Sequence, residues 1–460
     1  MKKYRVVIGN LLVVILLSLV PGWNLRGQGM PPEAEFTPGI LQSHLYDSGF
    51  SLSDDNYNAC FQASDGKIYY VLASGSAEIG AQMYSLDPST QRIQHVGDLT
   101  EAAGEKELHA IPQGKGHSIF VEFNGKLYFA THVGYYAVSH GQELIGTPPA
   151  GYKPYPGAHF LSYDLKTGVF ENLAKAPEGE GFQTFAMDAQ RGRLYGITWP
   201  SGLFFRYDLR THDLKNFGPV SVGGEKGTPG STFRVICRAI AVDPEDGSAC
   251  FTTADGDIIR YRYDTDSIEK IQGCSLRRDV FGYLNPAQPG TMGYNWRQVI
   301  WYPPEKVFYA VHGRSGYLFR FDLKAERVEV LTRLVSNVTR ASGMYDSFKY
   351  GYLGFTLGPD DHTIYYLTGT PSARDLPGKE GDLGIHLVTY DIPSKRMIDH
   401  GVLQLEDGRR PFGTQAIEVG RNGIIYTVAH VGRRQPESGK SGGKDQVRVD
   451  LLSFPNPVRQ

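Results

Sequence analysis

The side chains in this chain best suited to chemistry are histidines and arginines set among aromatic residues. His117 and His132 flank Asn124-Gly125, the dipeptide that most strongly favours a tight hairpin turn. Pairing outwards from that turn puts His117 directly opposite His132, and pairing outwards from Pro304-Glu305 puts Arg297 opposite His312. Imidazoles titrate near neutral pH and can act as acid, base or metal ligand. Guanidinium groups bind carboxylate or sulfate bidentately, and aromatic faces stack on sugar rings.

A repeat must position these groups. Asn295 to Leu323 is one copy: alternating bulky and small residues from Trp296 to Tyr302, a turn, a second apolar run from Val307 to Val311, then Tyr317 to Leu323. Arg327 to Leu334 supplies a fourth run, and short β-branched and aromatic runs between turn residues predict antiparallel strands. The third strand ends on an Asp in SLD (Ser85 to Asp87), SYD (Ser162 to Asp164), RYD (Arg206 to Asp208), RYD (Arg262 to Asp264), RFD (Arg320 to Asp322) and TYD (Thr389 to Asp391). A degenerate copy ends at Ser453 to Pro455. Such repeats predict an all-β chain, a seven-bladed β-propeller of four-stranded antiparallel blades. The last unit lacks an outer strand, and Gly39 to Ser48 is placed to supply it, closing the ring and removing an open edge.

Composition agrees, with 55 Gly and 28 Tyr for many turns and short strands. Residues 29–460 read as a single propeller domain and residues 1–28 as a signal peptide: Lys2, Lys3 and Arg5 precede an apolar run from Val6 to Val20, too short for a membrane span. The expectation is a secreted or periplasmic monomer with no stable span after processing. A net charge of −2 argues against nucleic acid as a partner. Cys60, Cys237, Cys250 and Cys274 form no disulfide framework and read as small buried hydrophobes.

In a propeller the innermost strands line a central channel. Starts of first strands and ends of second strands share one rim, which gathers His117, His132, Gln183, Trp199, Arg238, Arg297, His312, Gln415 and His430, with Tyr135 and Tyr136 beside them. Arg206 lies near that rim, although its repeat with Arg262 and Arg320 favours blade packing. This set suits an anionic, hydroxyl-rich ligand or acid–base work. It equally suits polar groups that hydrogen-bond channel water. No cofactor is implied; a channel-bound divalent metal shared by His117 and His132 with His312 or His430 lacks an obvious third ligand type, so no metal ligands are assigned. Nucleophile elbow, P-loop and dinucleotide fingerprints are absent.

The stretch GKGHSIFVEFNGKLYFATHVGYY (Gly114 to Tyr136), with PGAHFLSYDLKTG, GEGFQTFAMDAQRGRLYGITWPSGLFFRYDL and GYLFRFDL, resembles secreted bacterial propellers of the polysaccharide lyase type, the ulvan and rhamnose-glucuronate lyases. The resemblance implies β-elimination on a uronate-containing glycan, an anionic partner. Its histidine pair carries over as His117 and His132. The family's Tyr and Arg positions hold Gln183 and Trp199 here, so Tyr195, Tyr135 or Tyr136 would act as the catalytic Tyr and Arg238 or Arg297 would neutralise the carboxylate. Two alternatives accompany it: a hydrolase of rhamnose-glucuronate linkages and a non-catalytic glycan- or protein-binding propeller.

Overall fold

Runs rich in Val, Ile, Tyr and Phe form antiparallel strands throughout the computed structural model, which describes residues 35–36, 39–288, 292–313, 315–342, 354–369, 384–432 and 447–458. Glu33–Gln460 is one compact unit and Met1–Pro32 another. The expected signal segment and the polar loops at 371–381 and 433–444 lie outside the described residues. No helix among the described residues is long and apolar enough to cross a membrane. All four cysteines are free, with Cys60, Cys237 and Cys250 buried.

The architecture is a β-propeller of four-stranded antiparallel sheets, as the repeat predicts. A representative sheet runs in sequence order through Gly181–Asp188, Arg193–Trp199, Leu203–Asp208 and Asp213–Pro219. Aromatic layers fill the space between sheets: Phe160 stacks on Phe182 at 4.1 Å, and Phe204 packs on Phe251 at 4.9 Å. Gly196 permits the first contact, because a Cβ there would stand 2.6 Å from Phe182 and 2.9 Å from Phe160.

The recurrent Asp works as a turn former. Asp208 Oδ1 accepts from the backbone N–H of Arg210 (2.9 Å) and Thr211 (3.3 Å), and Asp164 does likewise with Lys166 and Thr167. Four residues after the Asp the chain enters the left-handed region, at His212 (φ 57°), Glu326 (φ 47°) and Lys395 (φ 57°), which sets the register of the outer hairpin. One copy is shifted. Arg262, not Asp264, pairs across the turn with Ser267, so Arg260 is the counterpart of Arg206 and Arg320, each facing the middle of the outer strand.

Ring closure follows the sequence reading and goes further. Ile40–Leu45 pairs antiparallel with Val447–Pro455, through His44↔Ser453 and Leu45↔Leu452, and completes the last sheet. Its first half also pairs parallel with Arg396–Leu405, from Ile40↔Val402 to Ser43↔Leu405, joining two neighbouring sheets. The N-terminal strand therefore satisfies two edges at once.

The innermost strands depart from simple alternation. Phe182 pairs with Thr198 and Thr184 with Ile197, so Gln183 is an extra residue in a β-bulge. Trp296 pairs with His312 and Gln298 with Val311, making Arg297 the extra residue there. Pro411 pairs with Val431 and Gly413 with His430, which leaves Phe412 in the same position. In the sheet holding His132, Val121 pairs with Tyr128 but Lys115 pairs with His132, so two residues are accommodated between them. Ser118 patches that gap: its Oγ accepts from Ala130 N (3.0 Å) and donates to Ala130 O (3.2 Å). The expected pairs are corrected accordingly. Lys115, not His117, stands opposite His132, and Trp296, not Arg297, stands opposite His312.

Candidate functional site at the channel mouth

His117 and His132 meet in space despite the altered register, with ring centroids 5.2 Å apart and both rings buried. Gln183, aimed inward by its bulge, ties them together. Its side-chain amide donates to His117 Nε2 (3.0 Å) and accepts from His132 Nε2 (2.9 Å), while its backbone carbonyl accepts from His117 Nδ1 (2.7 Å). Carbonyl oxygens only accept, so His117 carries its proton on Nδ1 and His132 on Nε2. Burial pushes the His132 pKa down to about 3 and holds His117 well below the ordinary imidazole value, so both rings are neutral. Gly181 backs His132: a Cβ at residue 181 would lie 2.5 Å from Nδ1.

Lys115 projects over this pair. Its Nζ donates to Tyr57 Oη (2.8 Å) and sits 4.1 Å and 4.3 Å from the ring centroids of Tyr57 and Tyr136, a cation held between two aromatic faces. Burial lowers its pKa, while Asp55 and Asp54 pull it back up. Tyr57 stacks on His117 at 4.4 Å, which joins the first sheet's leading loop to the second. Tight backbone approach makes the placement possible. A Cβ on Gly114 would lie 2.5 Å from Gly134 Cα, and one on Gly134 would lie 2.1 Å from Ser74 O.

The rim carries carboxylates that the sequence reading missed. Asp55 Oδ1 accepts from Asn56 N (2.8 Å) and Gln415 Nε2 (3.0 Å) and lies 3.3 Å from His430 Nε2, so Asp55 is committed to holding the last sheet against the first. Asp54 is exposed to solvent. Desolvation raises its carboxyl pKa, with Lys115 acting in the opposite direction. The Asp-Asp of SLSDDNY carries no motif in the sequence; packing of the first sheet against the second, through Asp54 N to Ala73 O and Ser74 N to Gly114 O, brings it within electrostatic reach of Lys115. Among the described residues no group of three or more His, Cys, Asp or Glu side chains is arranged to hold a metal ion.

The remaining expected site residues divide. Arg238 reaches the hub and pairs with Glu225 at 2.8 Å; Glu225 also accepts from Trp199 Nε1 at 3.0 Å. Trp199 itself is buried, packed 5.6 Å from His132 and 5.4 Å from Tyr136, so it supports the hub and offers no open face to a sugar. Tyr136 donates to Val133 O (2.9 Å) and begins a hairpin, Tyr136–Ser139 with Gln142–Ile145, that walls one side of the mouth. Arg297 is buried where its charge is felt by His117 and Tyr366.

Tyr195, Arg206 and His312 lie elsewhere. Tyr195 donates to Gly247 O (3.3 Å) within the core between sheets. Arg206 binds Asp266 and Asp213 on outer strands. His312 accepts from Ser315 N (3.2 Å), donates to Gly293 O (3.1 Å) and stacks on Phe281. Each pattern is one of packing, because the side chains are already paired away from the channel.

No family model matches this chain, and no curated protein matches it. Solved propellers do. A periplasmic gluconolactonase from Pseudomonas aeruginosa is 14% identical, with a TM-score of 0.47 over 85% of this chain and 99% of that one. A Lactobacillus plantarum protein gives 10% identity and a TM-score of 0.47, covering 84% of this chain and 99% of that one. A proposed 6-phosphogluconolactonase from Bacteroides uniformis gives 11% and 0.42, over 74% and 83%. The likeness is one of fold.

The polysaccharide-lyase resemblance, and the lyase activity expected from it, are corrected: three of the solved structures that this chain matches carry gluconolactonase or 6-phosphogluconolactonase names, and these share its fold alone. The hub supplies a physical reason. Both ring nitrogens of His117 are consumed by Gln183, so it has none to offer as acid or base. Asp54 and Asp55 at the mouth also offset the charge of Lys115, which would otherwise hold a uronate.

Proposed function

We propose that the channel mouth is a hydrolytic site for a small cyclic sugar ester, an aldonolactone. The observation that carries this reading is Lys115, a cation fixed between Tyr57 and Tyr136, with the exposed carboxylate Asp54 within electrostatic reach of it. Lactone opening needs a base to take a proton from attacking water and a positive group to face the oxyanion that forms at the carbonyl. Asp54 fills the first role and returns that proton to the ring oxygen as the acyl–oxygen bond breaks, and Lys115 fills the second.

The neutral histidines have a supporting part. With His117 and His132 uncharged, they do not compete with Lys115 for the oxyanion, and Gln183 fixes both rings as a rigid floor. Export to the periplasm or beyond accords with the basic start and apolar run of the first residues. The neighbours' names bear only on which lactones to try first.

The test is proton release from glucono-δ-lactone and related aldonolactones, followed in weak buffer against the spontaneous rate. Wild-type protein accelerates opening. Asp54→Asn lowers the rate by about 10²- to 10⁴-fold, and Lys115→Met by about 10²- to 10³-fold, with melting temperatures near that of the parent. No acceleration across the panel would sink the proposal.

A further inference from the structure

Phe412 is an exposed aromatic on an innermost strand of a folded ring, at 56% relative exposure, where its neighbours Pro411 and Thr414 are buried. A bulge puts it there. It is the extra residue between Pro411↔Val431 and Gly413↔His430, the position that Gln183 and Arg297 occupy in their own sheets. Bulges re-aim a side chain at a local cost in pairing, and the two others aim theirs into the hub. The Phe412 ring lies 5.8 Å from the His430 ring, and His430 is anchored at 3.3 Å to Asp55 on the mouth.

We infer that Phe412 is a specificity-determining residue that stacks on the ring of a neutral cyclic polyol bound at the mouth, a role that rests on the hydrolytic reading of the same site. The chemistry is complementary. One face of a sugar ring presents C–H groups to an aromatic plane, while its hydroxyls donate to carboxylates such as Asp54. Asp54 and Asp55 offset the charge of Lys115, and Glu225 that of Arg238, so the mouth offers no unopposed cation to a phosphorylated or uronic ring and the preferred ligand carries no negative charge. The indole of Trp199 is already covered by His132 and Tyr136, and the rings of Tyr57 and Tyr136 are engaged by Lys115.

Phe412→Ala and Phe412→Tyr test the assignment. On glucono-δ-lactone, Phe412→Ala raises KM by about three- to tenfold with a much smaller change in kcat, the size expected of one aromatic stacking partner; Phe412→Tyr stays close to the parent. The split must be seen against a 6-phosphorylated lactone, which the parent turns over more slowly. A readout independent of turnover is saturation-transfer NMR with methyl glucoside: the parent and Phe412→Tyr transfer magnetisation to the sugar, and Phe412→Ala does not. A parent that hydrolyses lactones with an unaltered KM in Phe412→Ala overturns the stacking role and leaves the hydrolytic reading standing. Magnetisation transfer that disappears in Phe412→Ala, in a parent that shows no turnover, supports the stacking role and defeats hydrolysis. Absence of both turnover and transfer in the parent overturns both.

Discussion

Gly181→Ala is the sharpest probe of the hub, because the substitution adds one carbon at a known place. Residue 181 needs no left-handed backbone, so Ala is tolerated conformationally and the effect is purely steric. The new Cβ would lie 2.5, 2.8 and 2.9 Å from Nδ1, Cε1 and Cγ of His132. Non-bonded carbon atoms settle near ~3.5 Å, so the ring must retreat by about 1 Å. It has nowhere free to go. Nε2 is held by Gln183 at 2.9 Å, and His117 and Trp199 pack against the ring at centroid distances of 5.2 and 5.6 Å. These distances put the new carbon over the ring at Nδ1, so the ring is pushed across the line of its hydrogen bond to Gln183 and bends it, and overpacking of the buried ring costs about 1–3 kcal/mol.

The expected destabilisation is therefore about 1–3 kcal/mol, read as a lower urea midpoint with an unchanged slope. Nitrogen-detected NMR of the histidine side chains adds a local readout. In the parent the His132 proton resides on Nε2; in Gly181→Ala its signal shifts or the tautomers mix. A Gly181→Ala protein with parental stability and an unmoved His132 signal would refute the packing described for the hub.

Two further outcomes follow from the same packing. His132 has its pKa depressed to about 3, below the imidazole value of 6.5, by burial. Between those values the unfolded chain binds a proton that the folded one refuses, so stability falls as pH drops from about 6.5 towards 3. Melting temperature measured over that window declines in the parent and declines less steeply in His132→Gln; an identical slope in both would contradict the assignment. Deleting the residues before Phe50 removes a strand that pairs with both Val447–Pro455 and Arg396–Leu405, exposing two edges. Light scattering shows concentration-dependent association and calorimetry a lower melting temperature, whereas a stable monomer would count against the closure.

Much of the fold was legible in the sequence because it rests on local rules. The aromatic-Asp repeat marks hairpins since Asp208 and Asp164 close their turns with backbone N–H groups only two or three residues away. The need for an outer strand in the last unit pointed to Gly39 to Ser48 by simple subtraction, and Ile40–Leu45 fills that place. His117 and His132 could be named together since one hairpin carries both. Their partner Gln183 also stood on the expected rim.

Tertiary structure decided what those groups can do. A bulge is invisible in a pattern of alternating residues, yet it turns Gln183, Arg297 and Phe412 towards the channel and shifts Lys115 opposite His132. Asp54 and Asp55 belong to a polar loop with no signature of its own. Asp55 meets Gln415 across 360 residues of chain, and Gln298 reaches Asn58 across 240. Pairings at such separations exist only once the ring has closed, since no local turn or strand preference encodes which sheets will face each other across the channel. Hairpins and sheet edges were therefore written in the order of residues, and the chemistry of the mouth was set by the closure of the ring.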